Sequence, residues 1–348
     1  MKERWVLILF LLTLAAIGAL YVANVRFPIS TDDAIQRELR HDASTATLEQ
    51  HITEALAKDD VETADMYAEI AAYMHRPLSP AVQAKLADAH STVATVTRGT
   101  KDFATGFVTG SGTSTAGLAG AVTSDLTVVG DVRDIGIEGK KMVAGEDYSK
   151  LVLGLSIVGL AATVATVATG GGGIVAKTGV SVLKAAKHAG TLTAGFARRL
   201  TRLVEDAVDF REVGRIAKTA NLTDLRATEH AFSDVARSVK TSELLPVFRR
   251  IGTIGKNAGP AETVRLMRYV HSERDLGDIA TMSTKLGKKT RGVIALTGKT
   301  ALRAFKTSLN IVEFLIENII AFGAWLLGLL GLGAGRRILR FGWRRAHA

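Results

Sequence analysis

Residues 169–178 read TGGGGIVAKT. Glycines followed by Lys-Thr suggest a phosphate-cradling loop, in which the glycines expose backbone N–H groups and the lysine reaches the outer phosphates. Gly171 aligns with the first glycine of G-x-x-x-x-G-K-[ST] and Lys177-Thr178 with its end, but Ala176 stands where the second glycine belongs. The surroundings disagree with the letters. Such a loop follows a short strand, whereas Leu151 to Thr169 is a long apolar run with helical small-residue spacing. No later apolar strand ending in Asp offers a magnesium partner. Gly170 to Gly173 therefore read as the end of an apolar helix, where glycine is the usual residue.

Other chemistry-bearing residue types form no constellation. The histidines (His41, His51, His75, His90, His188, His230, His271 and His347) lack HExxH or any other metal-ligand spacing. Asp32-Asp33 and Asp59-Asp60 sit at expected helix starts, where carboxylates oppose the helix dipole. The serines of TGSGTST, 109–115, form no nucleophile elbow. Cysteine is absent, which removes disulfides, thiolate metal sites and thiol nucleophiles. The sequence assigns no catalytic residue, no cofactor site and no metal ligand, and the expectation is a protein that is not an enzyme.

The elements behind these residues are helical. Apolar residues make up 47% and charged residues 22%, with five prolines and few alternating β-branched runs. Charge is unevenly distributed. Residues 26–150 carry 12 Lys/Arg against 19 Asp/Glu, whereas residues 177–310 carry 25 against 12. The tail 336–348 adds five arginines and no acid. An acidic first half and a basic second half imply different partners or different sides of a membrane.

Three uncharged runs set the expected topology. Trp5 to Val25 follows Lys2 and Arg4 and is long enough to span a bilayer core, so it reads as a signal-anchor; a cleaved signal peptide ending near Ala16-Ile17-Gly18 is the competing reading. Leu151 to Ala176 is also long enough to span, although its second half is rich in Ala, Thr and Gly; a buried hairpin helix is the alternative. Ala161, Ala165 and Thr169 lie four apart and form a small-residue face that admits another helix closely. The third run, Asn318 to Gly335, precedes Arg336, Arg337, Arg340, Arg344 and Arg345, which suit an anionic lipid surface. Positive-inside logic puts the N-terminus in the cytoplasm and conflicts with three full crossings.

Between these runs, Ser30-Thr31-Asp32-Asp33 opens a helix, Lys58-Asp59-Asp60 splits two more, and Ser79-Pro80 starts another. Spacing in this region fits either a helical-hairpin unit of tetratricopeptide size or a plain bundle. Residues 103–124 are Gly/Ser/Thr-rich and read as a connector. In the second half, Glu212–Lys218, Glu243–Arg249 and Asp275–Thr281 share an acid followed by apolar positions at spacings of 31 and 32 residues. That period suggests stacked helical pairs. Cap signals accompany it at Asn221, Gly259-Pro260 and Ser272-Glu273-Arg274-Asp275.

Residues 126–190 contain Gly130, Asp131, Arg133 and Asp134, then Gly145, Asp147 and Tyr148, an apolar stretch, and the lysine-bearing VLKAAKHAG. This order resembles the linker segments of bacterial polymorphic toxins, with Val129 in place of their usual proline and no nuclease or peptidase motif after it. The resemblance implies an α-hairpin that packs or inserts, and no activity.

The expected chain is an all-α integral protein of the bacterial inner membrane with a cytoplasmic N-terminus. It divides into a signal-anchor (1–25), an acidic helical region (26–102), a connector (103–130), an apolar hairpin (131–176), a basic helical-repeat domain (177–310), a membrane segment (311–335) and an Arg-rich tail (336–348). The expected function is a membrane-anchored helical scaffold or adaptor; the rival is a toxin-like effector that inserts 133–176. Expected partners are membrane lipids and a protein, and the chain is compatible with a homo-oligomer. Scattered aromatics in 177–310 give no stacking platform for nucleic acid.

Overall fold

A computed structural model describes residues 31–90, 128–169, 174–298, 300–303 and 305. The chain divides into one unit of residues 1–38 and 299–348 and a second of residues 39–298. Within the described residues the first unit contributes the start of α1 (Thr31–Asp42) and a few helical residues from 300 onward. The expected signal-anchor, most of the connector, Gly170–Gly173, the 311–335 segment and all five tail arginines lie outside the described residues.

The second unit is built from helices whose ends follow local chemistry. Ser44 caps α2 (Thr45–Ala57), accepting from the Thr47 N–H at 3.1 Å. Asp59 adopts positive φ in the break the sequence marks, and Asp60 caps α3 (Val61–Tyr73). Pro80 opens α4 (Pro80–Ala89) at a position that needs no N–H donor. Then come α5 (Val128–Ala144), α6 (Lys150–Thr169), α7 (Ile174–His188), α8 (Ala194–Ala207), α9 (Phe210–Ala217) and α10 (Leu225–Ser238). Gly259, at φ 91°, separates α11 (Leu245–Ala258) from α12 (Pro260–Leu266). A capping box between Ser272 and Asp275 starts α13 (Glu273–Leu286), and α14 (Lys289–Thr297) follows.

α6 lies at the centre of its part of the unit. It packs against α5, α7, α8 and α10, and every residue from Leu151 to Leu160 is buried. A helix that is apolar on all sides must be surrounded, by protein or by lipid. Here protein surrounds it, and each Leu, Ile or Val so buried contributes about 1.5–3 kcal/mol. α7 continues the packing to α11 and α12, α11 to α13, and α13 to α14. α14 then rests on α3, which pairs with α2 and α4.

This architecture corrects the membrane expectation. Among the described residues there is no strand, so the all-α class stands, but no helix is long and apolar enough to cross a membrane. The run 151–176, expected as the central span, supplies the core helix α6 and the start of α7. The transmembrane architecture and the integral inner-membrane localisation do not stand against that finding. Hydropathy marks the run as one that avoids water, and neighbouring helices satisfy that requirement over Leu151–Leu160.

The repeat-like segments occupy α9, the entry to α11, and the start of α13. α11 packs on α13 and α7, whereas α9 packs on α5 and α10.

A second constraint joins α3 to α12 and α14. Glu262 receives Arg291 through Nε at 2.6 Å and Nη2 at 3.2 Å, and Arg265 at 2.9 Å. Arg291 Nη2 also donates to Thr63 Oγ1 at 2.8 Å, and Asp60 Oδ1 lies 3.6 Å from Arg265. Glu262 is 7% exposed, so both guanidinium groups depend on a carboxylate held away from water. Glu262→Ala is expected to cost about 3–5 kcal/mol, because two buried cations lose their shared anion. Urea unfolding should show a lower midpoint with an unchanged slope; a loss below about 1 kcal/mol would mean that Asp60 and Thr63 suffice.

Candidate functional site

The residues of the VGDVRD segment that could do chemistry meet the lysines of α7 inside the bundle. Asp131 and Asp134 are three apart on α5 and therefore share a face. Lys177 and Lys184 are seven apart on α7 and do the same. Lys177 Nζ pairs with Asp131 Oδ2, and Lys184 Nζ lies 2.8 Å from Asp131 Oδ1. Lys184 also stands 2.8 Å from Asp134 Oδ2, as an ion pair whose angle falls outside hydrogen-bond geometry. Arg133 Nε donates to Asp134 Oδ1 at 2.9 Å.

Gly159 makes this meeting sterically feasible. α6 runs beside the pairs, and a Cβ at Gly159 would collide with the Asp131 carboxylate. The same device recurs on α7, where a Cβ at Gly179 would meet Phe248 of α11. Both glycines serve close approach between elements.

Burial decides what the cluster can do. Asp131 and Lys184 are both 0% exposed and Lys177 is 5% exposed, so their charges face one another rather than solvent. Burial pushes the Asp134 carboxyl up, but the charges of Lys184 and Arg133 together outweigh it and hold the group below the usual carboxylate range. The arrangement clamps α5 to α7 across α6. Lys177, the candidate phosphate-binding lysine, is consumed by Asp131.

The turn with Gly145, Asp147 and Tyr148 is fixed from the same helix. Glu138 accepts the Ser149 N–H at 2.6 Å and Lys141 Nζ at 2.9 Å, which directs the chain into α6. Gly145 takes a positive φ of 73° at the end of α5. Of the expected small-residue face, Ala161 is half-buried, Ala165 is exposed, and Thr169 ends α6. Among the described residues no group of three His, Asp or Glu side chains could hold a metal ion.

Sequence reasoning missed the Asp–Lys cluster, although its signal was present. Two carboxylates at i, i+3 precede an uncharged helix, and two lysines at i, i+7 follow it. The glycines beside Lys177 point to phosphate, whereas the anion that holds it is Asp131 on a different helix. The chain matches no known protein family, no characterised protein and no solved structure.

Gly159→Ala tests the clamp against local propensity. Alanine favours a helix interior by about 1 kcal/mol over glycine, yet the added methyl must displace Asp131. A net destabilisation of about 1–3 kcal/mol is expected from this overpacking, and a more stable variant would refute the close approach. A second test uses pH. Because the folded pKa of Asp134 lies below its unfolded value near 3.9, its contribution is complete above the unfolded value and is lost as pH falls through the folded one. The stability gap between the native protein and Asp134→Asn should narrow below about pH 4; a gap unchanged down to pH 3 would contradict the assignment.

Proposed function

We propose that the chain is a helical adaptor that binds a protein partner through the cationic outer faces of α8 to α11. The carrying observation is the contrast between paired and unpaired charges. Inward-facing cations are matched to carboxylates, as in the Asp131 and Glu262 clusters. Arg198, Arg202, Arg211, Lys218, Arg226 and Arg249 are exposed, and their side chains form no ion pair among the described residues. Arg198 and Arg202 lie four apart and so share one face of α8.

These six cations outnumber the exposed acids of the same stretch that form no ion pair among the described residues (Asp206, Asp209, Asp224, Glu229 and Glu243), and a cationic excess attracts an acidic surface and accelerates encounter with it. A helical frame clamped at two buried clusters presents them with little reorganisation, which lowers the entropic cost of binding. This favours an adaptor over an effector that inserts 133–176, because insertion would have to extract α6 from its protein surroundings and separate Asp131 from both lysines.

Photo-cross-linking in cells that produce the protein tests the proposal. A benzoylphenylalanine at position 202 or 249 should give a discrete protein adduct, and Arg198→Glu with Arg226→Glu should reduce it at least several-fold. No protein adduct from either position, or an adduct indifferent to charge reversal, would overturn the adaptor reading.

A further inference from the structure

A cleft of about 260 Å³ opens between α3 and the turn joining α11 to α12. Its floor is apolar, formed by Met66, Ala258, Pro260 and Ala261. One rim carries Glu62, Asp65 and Glu69, and Lys288 supplies the cation among the lining residues. The three acids stand at i, i+3 and i+7 of α3 and therefore line one side of the cleft over about 10 Å.

These acids differ in their commitments. Asp65 is held by His90 Nε2 at 2.7 Å. Glu262, which also lines the cleft, is taken by Arg265 and Arg291. Glu62 and Glu69 are exposed and have no ion-pair partner among the described residues. The cleft thus joins an apolar floor to a rim with excess negative charge. Its volume lies below the roughly 300–1,000 Å³ common for small-molecule pockets and suits one or two side chains.

We infer that this cleft docks a basic amphipathic helix of a protein partner. An apolar side chain of that helix rests on Met66 and Pro260, while Lys or Arg residues two turns apart face Glu62 and Glu69. Long cationic side chains serve both parts, since their hydrocarbon stems cover apolar surface while their charged heads reach the rim. The acid spacing on α3 then selects cations at matching helical spacing on the partner. The occupant is identified as protein on the strength of the adaptor reading; the cleft adds a second surface, opposite in charge to the first.

The probe is a fluorescein-labelled 14-residue Leu/Lys peptide with helical amphipathic spacing, titrated with the purified full chain and read by anisotropy. Saturable binding is expected to weaken about tenfold in the Glu62→Gln/Glu69→Gln variant and to tighten in Lys288→Glu. These residues are exposed, and unchanged circular dichroism and melting check that the fold persists. Glu229→Gln, an exposed acid on α10, should leave binding unaltered. Peptides with Ser for Leu, or Glu for Lys, should both fail.

The inference is overturned by no saturable binding, by equal binding to the double variant, by an equal loss in Glu229→Gln, or by full binding of the Ser peptide. Cross-linking from positions 202 and 249 does not involve the cleft. Failed peptide binding with intact adducts would therefore sink the cleft alone, whereas lost adducts with intact peptide binding would sink the cationic-face reading.

Discussion

Asp131 sits where three helices must agree. Its two carboxylate oxygens face Lys177 and Lys184 of α7, and its helix, α5, lies against the glycine-bearing side of α6. Moving a carboxylate and two ammonium groups out of water is costly, and their attraction offsets that cost only in good geometry. A shift of α5 or α7 by one residue would leave a buried charge without its counterpart. The cluster therefore acts chiefly on register: hydrophobic burial gathers α5, α6 and α7, while the ion pairs admit one alignment among many oily ones. The rotation of α6 itself is set sterically, because a Cβ at Gly154 or Gly159 would collide with Val204 or Asp131.

The Glu262 cluster imposes a similar constraint between α3, α12 and α14. In each case one carboxylate serves two cations: Asp131 meets two lysines of α7, and Glu262 pairs with Arg265 of its own helix and with Arg291 of α14. Bidentate contact with Arg291 adds direction to charge, since the planar guanidinium matches the two oxygens in a limited set of orientations. Local caps assist at the helix ends, where Ser44, Asp60, Asp224 and Ser272 satisfy N–H groups that the helices leave open.

Local signals made much of the secondary structure legible. The break at Lys58–Asp60, the start at Pro80, the turn at Gly259-Pro260 and the capping box at Ser272 all depend on residues adjacent in sequence. Tertiary relations were less accessible. The run 151–169 reveals a need to leave water but carries no information about whether lipid or protein receives it. Lys177 illustrates the same gap: beside glycines it resembles a phosphate ligand, and only its neighbour 46 residues earlier identifies its task. The cleft beside α3 was illegible for a further reason, since its floor comes from a turn nearly two hundred residues after its acidic rim.

The position of α6 has a consequence for synthesis. Chain growth delivers α6 before α7, α8 and α10, the neighbours that complete its enclosure. Translation proceeds at roughly 5–20 residues per second, so about 4–16 seconds separate the end of the buried stretch from the end of α10. During that interval the nascent chain carries an apolar cylinder without its full coat, and Asp131 acquires its lysines only as α7 follows. Such surface is a ready substrate for chaperones and for premature association with other nascent chains. The central placement that gives the folded bundle its core therefore makes the protein dependent on the timing of its own emergence.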